Sequence, residues 1–286
     1  MTKILSIPEL RAKAAEMRIA ALRAVSKAGS GHTGGSMSVM DILVALYYGG
    51  GRFCGAEASG GGAGLRFGEG KEEDKDYVIL SKGHAAPAQY AILADLGYFS
   101  ADELGHLRQV GALLQGHPCV KTPGITVATG SLGQGFSVAH GLALSLRLDK
   151  RPNKVFVVLG DGELQEGIVW ETAMSAAHYM SSNLIAFVDN NGLQIDGPCK
   201  KVLNVQPIQD KFEAFGWRVI QVKDGHDFEE LLDAVRRARS ETRRPVCIWC
   251  HTIKGKGVPF AEGKVEYHGA ALSEEEMRVA EEELRK

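Results

Sequence analysis

Long apolar runs are missing from this chain. No segment approaches the ~20 consecutive apolar residues needed to span a bilayer. The opening MTKILSIPELRAKAAEMR brings in acids early and shows no apolar signal region, so no export signal is legible there. An excess of one charge is missing too. The 33 Lys and Arg face 35 Asp and Glu, and the formal net charge of -2 argues against nucleic acid or an anionic membrane as partner. Cysteine is sparse: Cys54, Cys119, Cys199, Cys247 and Cys250 are odd in number and scattered, which fits a reducing cytoplasm. Cys247 and Cys250 match a CxxC spacing within the apolar run PVCIWCH. On a strand their sulfurs point to opposite faces, and no second CxxC completes a zinc site, so both read as buried thiols.

What is present is ample material for a core. Hydrophobic residues make up 44% of 286 residues, enough length for one α/β unit. No internal repeat or composition break divides the chain, so residues 1–286 read as one domain. Pro8 to Ala28 has helical apolar spacing, with Gly29 as its stop. Ser30 to Ser36 reads as a loop, and Met37 to Tyr48 as a helix capped by Ser36 or Ser38. Residues 49–70 are glycine-rich and irregular. They read as a surface insertion and not a phosphate loop, because no strand precedes them and no GK[ST] closes them.

From Tyr77 onward strands and helices alternate. YVIL, KVFVVLG, NLIAFVDN, WRVIQV and PVCIWC read as strands. Helices are expected up to Leu96, from Ser100, over FSVAHGLALSLRL, near 168–180, near 210–215 and at 228–239, with a solvated helix at the C-terminus. Apolar strands alternating with helices predict a mainly parallel sheet covered on both faces.

In such a sheet, ligands sit beyond the carboxyl ends of the strands. Gly160-Asp161-Gly162 follows one apolar strand, and Asp189-Asn190-Asn191 follows the next. A carboxylate and an amide oxygen on neighbouring strand ends suit a hard cation such as Mg²⁺ or Ca²⁺. A helix starting after Asp161 would aim its N-terminus at phosphate, and Gly162 would let the backbone approach closely. The helical spacing of LQEGIVWETAMSAAHYM opposes a simple Asp-Gly hairpin. A dinucleotide-binding fold would need GxGxxG after an early strand, and Gly130, Gly133 and Gly135 have the wrong spacing.

A GDG followed about thirty residues later by paired asparagines resembles the thiamine diphosphate signature. Ser30-Gly31-His32, Ser81-Lys82-Gly83-His84-Ala85, Gly116-His117-Pro118, the run Thr129 to Gly135 (TGSLGQG), the run Gly160 to Gly167 (GDGELQEG), Leu193 to Gly197 (LQIDG) and His268-Gly269-Ala270 resemble transketolases in particular, in the family's order. The resemblance implies a thiamine diphosphate-binding fold of the diphosphate-binding type. It implies that Asp161, the Asn191 side-chain oxygen and the Leu193 main-chain oxygen bind a divalent metal: Mg²⁺, or Ca²⁺ or Mn²⁺ in its place. Gly162 would contact the diphosphate, and Gly130 and Leu132 would flank the aminopyrimidine. Ser131, Glu163, Asn191 and Lys254 complete the cofactor-binding positions. His32, His84, His117 and His268 would line the substrate channel as catalytic residues, since histidine donates or accepts near neutral pH. Lys264 stands where some transketolases have a histidine-rich stretch.

Of the other histidines, His140 and His178 read as core or boundary groups, and His106 and His226 as exposed. Transketolase-like enzymes take an activating glutamate from a separate pyrimidine-binding domain, and a single-chain transketolase is more than twice this length. The resemblance therefore implies a natural subunit that pairs with a C-terminal-type, pyrimidine-binding subunit in a two-plus-two assembly. Its reaction would transfer a two-carbon ketol unit from a ketose or ketose phosphate donor to an aldose acceptor. Other thiamine diphosphate enzyme halves, such as a specialised sugar transketolase or a deoxyxylulose phosphate synthase relative, and a non-catalytic partner protein remain as alternatives.

Overall fold

The computed structural model describes residues 5–49 and 76–286. Five parallel strands form the central sheet: β1 (Tyr77–Leu80), β2 (Val155–Gly160), β3 (Leu184–Asn190), β6 (Arg218–Val222) and β7 (Val246–His251), in the order β1-β2-β3-β7-β6. A two-residue antiparallel pair, β4 (Leu193–Gln194) with β5 (Gly197–Pro198), follows β3. The β-branched and apolar runs of the central strands suit burial on both faces. Alternate residues feed separate cores. Phe156, Val158, Ile185, Phe187, Ile248 and Cys250 face one side, while Val155, Val157, Leu184, Ala186 and Cys247 face the other. Cys247 and Cys250 therefore do lie on opposite faces, both fully buried and free.

Helices cover both faces. α4 (Gln134–Leu148), α5 (Gly167–His178) and α7 (Ile208–Ala214) pack over the second core. α1 (Ile7–Ala28), α2 (Thr33–Tyr48), α3 (Ala86–Asp95), α8 (Phe228–Arg239) and α9 (Glu274–Leu284) pack over the first. α6 (Cys199–Val202) is a single turn after β5. The chain steps β1-β2-β3 in one direction and returns from β6 to β7. Right-handed crossovers then put α5 on one face and α8 on the other. The reversal falls between β3 and β7, where a parallel sheet opens to a ligand.

Several local expectations are corrected. α2 begins at Thr33 and not at Met37; its N-cap is His32, and neither Ser36 nor Ser38 caps it. Gly34 and Gly35 sit in its first turn because close neighbours leave no room for a side chain. A Cβ on Gly34 would come within 2.9 Å of Lys254 Cγ, and one on Gly35 within 3.0 Å of His84 Nε2. The segment after Ser100 is a short 3-10 run, Ala101–His106. A 3-10 turn, Gly162–Gln165, separates Asp161 from α5, so no long helix starts at the GDG. The C-terminal helix is not fully solvated: Met277 and Ala280 are buried, and Arg23 on α1 forks onto Glu281 at 2.7 and 2.6 Å. The glycine-rich insertion expected over 49–70 lies, beyond Gly49, outside the described residues. Among the described residues no helix is long and apolar enough to cross a membrane.

Phe156 is fully buried in the first core, away from the carboxyl rim of the sheet. Phe156→Ala is expected to cost about 3–5 kcal/mol through the cavity it leaves. Urea unfolding followed by circular dichroism checks this; an unchanged midpoint would contradict the packing described.

Candidate active site

Four chain segments meet at the carboxyl rim and share one carboxylate. Asp189, at the end of β3 and 0% exposed, accepts hydrogen bonds from Lys82 Nζ (2.5 Å), from Ser38 Oγ of α2 (2.7 Å) and from Thr252 Oγ1 just after β7. Lys82, after β1 and 1% exposed, also donates to the Gly35 carbonyl at 3.2 Å. Burial works to raise the Asp189 pKa, but the touching ammonium overrides it and holds the group below the usual carboxylate range.

Beside this hub, the ends of β2 and β3 are tied together. Asp161 Oδ2 accepts the Gly192 N–H at 2.7 Å, and Oδ1 accepts the Gly162 N–H at 3.0 Å. Gly192 lies between Asn191 and Leu193, so Asp161 is held against the turn that carries the other two expected metal ligands. Asn191 Oδ1 accepts the Leu193 N–H at 3.1 Å, and the Leu193 carbonyl accepts from Lys254 Nζ at 2.9 Å. Burial, and then nearby Asp189, push the Asp161 pKa up to about 6, and a cation beside the carboxylate would favour its ionised form. Among the described residues no three His, Cys, Asp or Glu side chains converge on a metal position. This turn offers another donor set: one carboxylate, one amide oxygen and one main-chain oxygen, all hard ligands. The absence of a side chain at Gly162 leaves a cradle. A Cβ there would lie 3.2 Å from Gln194 Cβ and 3.6 Å from Cys199 Sγ.

All four expected histidines converge. Ring centroids separate His32 from His84 by 5.2 Å, from His268 by 5.6 Å and from His117 by 6.1 Å; His84 and His268 stack at 5.4 Å. Each belongs to a different segment: His32 caps α2, His84 follows β1, His117 lies in the loop before α4, and His268 follows the last 3-10 turn. Burial, then His117 and the cations Arg108, Lys254 and Lys82, lower His32 to about 4. Burial and Lys254 lower His268 to about 3. His84 is held well below its ordinary value by burial and Lys82, and His117 is lowered by burial and Arg108. The rings are therefore neutral at pH 7. The His32 Nδ1 atom is buried without a partner, a polar group left free for a ligand. Lys254, 2% exposed, links the cluster to the turn after β3 by donating to His268 Nδ1 at 2.6 Å as well as to Leu193. Burial, then Lys82, lower its pKa to about 8.

The remaining candidates divide. Gly130 lies against the His117 ring, where a Cβ would be 3.4 Å away; Ser131 is exposed and Leu132 half-buried on the same turn. The Glu163 carboxylate is not directed at open space. It is 2% exposed, and it accepts from Ser81 Oγ at 2.5 Å, Gly133 N–H at 2.8 Å and Gly160 N–H at 3.0 Å. Its side chain thus pins the TGSLGQG turn to the ends of β1 and β2. His178, expected at the core or its boundary, is exposed, and His140 is buried against Ser181. The His226 side chain, expected at the surface, is only 8% exposed. Lys264 is exposed. The sequence assigns no part in the site to Lys82, Asp189, Ser38, Thr252 or Arg108, although Lys82 and Asp189 stand inside its motifs and Ser38 was a candidate helix cap.

The lowered histidine pKa values carry a sign. A histidine that binds its proton less readily when folded contributes stability in full above about 6.5, and that contribution is lost as pH falls towards about 4. His32→Asn removes one such group. Its urea midpoint is expected to fall less steeply than the parent's as pH drops from about 6.5 to about 4. Equal slopes in the two chains would contradict the depressed pKa.

The family described as the thiamine diphosphate binding domain of transketolase matches residues 10–285. The chain is 40% identical over 279 residues to the 6-deoxy-6-sulfo-D-fructose transketolase subunit SqwG of Clostridium sp. (strain MSTE9), covering 97% of each. It is 35% identical to an apulose-4-phosphate transketolase subunit of Phocaeicola vulgatus, covering 91% of this chain and 88% of that one. Human transketolase is 37% identical over 264 residues, but only 40% of its length is spanned. The solved transketolase of Leishmania mexicana superposes with a TM-score of 0.85 at 30% identity, over 99% of this chain and 42% of that one. With the fold, the order of the motifs and these relatives in agreement, the chain belongs to the transketolase family, as its thiamine diphosphate-binding domain.

Proposed function

We propose that this chain is the diphosphate-binding subunit of a split transketolase that moves a two-carbon ketol unit from a ketose to an aldose. The observation that carries the reading is the meeting of four neutral histidines with the Asp161–Asn191–Leu193 turn, joined through Lys254. Thiamine diphosphate, when bound, supplies the carbon nucleophile and the electron sink. The chain's own residues hold it and orient the sugar. Asp161, the Asn191 side-chain oxygen and the Leu193 carbonyl would hold Mg²⁺, or Ca²⁺ or Mn²⁺ in its place. Lys254, whose ammonium lies 2.9 Å from the Leu193 carbonyl, would add positive charge beside the diphosphate. Gly162 lets the backbone approach the diphosphate, and Glu163 sets the turn that carries Gly130, Ser131 and Leu132 beside the pyrimidine ring. His32, His84, His117 and His268 donate to or accept from the sugar's carbonyl and hydroxyls, as neutral imidazoles do both.

In this reading residues 1–286 act as one domain in the cytoplasm, and a pyrimidine-binding subunit completes the site in a two-plus-two assembly. Two relatives carry the word subunit in their names. Ile195 (63% exposed) and Leu203 (56%) stand out from the hairpin and turn beside the cofactor position, and Ile253 (39%) from the Lys254 loop. Such apolar surface suits a docking protein. One of those relatives is named for a sulfo sugar and the other for a sugar phosphate, so the substrate proposed is a ketose with an anionic tail.

Mixed with a C-terminal-type transketolase subunit, the chain is expected to gain tight cofactor binding and ketol transfer together. Asp161→Ala and Asn191→Ala should abolish both while leaving the fold intact. Robust turnover by this chain free of any partner would refute the split-enzyme reading. His32→Ala and His117→Ala should lower donor turnover on the order of 10²–10³-fold, the effect of losing one positioned hydrogen bond in a dry site. Their calorimetric affinity for thiamine diphosphate should stay close to the parent's; unchanged steady-state kinetics would remove these residues from the channel.

A further inference from the structure

The loop that carries Lys254 is held from outside the site. Thr252 donates its N–H to the Asn190 carbonyl at 3.2 Å, and Gly255 donates to the Gly34 carbonyl at 3.1 Å. Between them, the N–H of Ile253 has a side-chain acceptor: Nε2 of His226, at 2.9 Å. His226 stands between β6 and α8, on a stretch that lies flat against the end of β7. There the Gly225 N–H donates to the His251 carbonyl at 2.7 Å, and a Cβ on Gly225 would come within 2.6 Å of Thr252 Cγ2.

The partners of His226 fix its chemistry. A backbone N–H can only donate, so Nε2 presents a lone pair, and the ring proton sits on Nδ1. That proton points at Asp41 Oδ2, 2.6 Å away. Asp41 is itself locked: Arg18 donates to Oδ1 at 3.0 Å and to Oδ2 at 2.5 Å. The side chains of Arg18, Asp41 and His226 are only 7%, 5% and 8% exposed. Arg18 also borders the far end of the loop, where a Cβ on Gly257 would lie 3.4 Å from Arg18 Cδ. The carboxylate sets the ring's tautomer and angle, and the ring sets the position of one amide. That amide belongs to the residue before Lys254, whose ammonium reaches the Leu193 carbonyl and His268.

We propose that His226, oriented by Asp41, is a positioning residue for the active site: it fixes the Ile253 amide and thereby aims Lys254 at the turn that takes the cofactor. The consequence for catalysis rests on the proposed function, whereas the positioning of Lys254 does not. A neutral histidine suits the task because it donates to a buried carboxylate and accepts from a backbone amide at once. Glutamine offers the same pair of functions on a planar amide; phenylalanine fills the space and offers neither.

The full-length chain alone suffices for the test. In the parent, scalar coupling across the hydrogen bond between the Ile253 amide and a ¹⁵N-labelled His226 Nε2 is expected. His226→Phe should speed hydrogen exchange at Ile253 by about tenfold or more, the effect of losing one hydrogen bond, while amides in α1 and α2 keep their rates. The same variant should raise the acetylation of Lys254 relative to Lys256, read by mass spectrometry well below the melting temperature. His226→Gln should return both readouts most of the way to the parent's. A purely structural role would lower the melting temperature of the phenylalanine variant without changing the Lys254 to Lys256 ratio, and that result overturns the proposal. Absence of the coupling in the parent overturns it even if the phenylalanine variant fails to fold. None of these readouts needs cofactor, partner subunit or turnover, so they stand or fall separately from the transketolase reaction.

Discussion

The ammonium of Lys82 and the carboxylate of Asp189 meet at 2.5 Å with 1% and 0% of their side chains exposed. Removing two charges from water is costly, and their attraction repays it only when the remaining hydrogen-bonding capacity is filled. Here it is filled by Ser38, Thr252 and the Gly35 carbonyl. The pair thereby joins the ends of β1 and β3, the start of α2 and the loop after β7. Residues with proposed roles sit a short step along each of these segments: His84 after Lys82, Asn191 after Asp189, Lys254 after Thr252, and His32 at the cap of α2. Loss of either charge would leave the other buried and alone, which costs on the order of 3–5 kcal/mol, and the four segments would lose their common anchor. The geometry of the site is in this sense a property of one ion pair that need not touch a ligand.

The strands were legible because burial on both faces demands short continuous apolar runs, and those runs alternate with longer stretches of helical spacing. The parallel order and the two-sided helical cover followed from the alternation. The opening of α2 did not. Its first turn holds two glycines, each costing a helix roughly 0.5–1 kcal/mol. Local preference therefore pointed to a loop, but His84 and Lys254 crowd that turn and leave room only for glycine. The 3-10 turn after Asp161 was hidden for a related reason: Asp161 caps it with its own side chain while its other oxygen binds the turn after β3. In both places a contact between distant segments overrides local propensity.

The candidate site divides along the same line. Residues inside short motifs could be named by resemblance, and the structure brings the four histidines and Lys254 into one cluster beside the turn after β3. Residues that act through remote partners could not. His226 looks like a loop histidine in the stretch DGHD, and its burial depends on Asp41, 185 positions away. Glu163 was grouped with the cofactor contacts because it follows GDG, yet its carboxylate is consumed by three protein donors. Charge and motif indicate which residues are chemically capable; only packing shows whether that capacity faces a ligand or the protein.

The electrostatics of the cluster constrain what it can recognise. Three imidazoles about 5–6 Å from the His32 ring cannot all carry charge with it, and burial beside Lys82, Lys254 and Arg108 keeps the four neutral. Neutral rings do not attract an anion by charge. They offer one donor and one acceptor each, a match for the carbonyl and adjacent hydroxyls of a sugar, where hydrogen bonds of both senses are needed. Recognition of an anionic tail must then fall to fixed cations. Among the described residues Lys82 is engaged with Asp189 and Lys254 with Leu193 and His268, while the exposed Arg108 acts on His32 and His117. Neutral rings whose neighbouring lysines are already engaged suit an uncharged polar group better than an anion, and in the proposed assembly the pyrimidine-binding subunit would supply the charge for an anionic end.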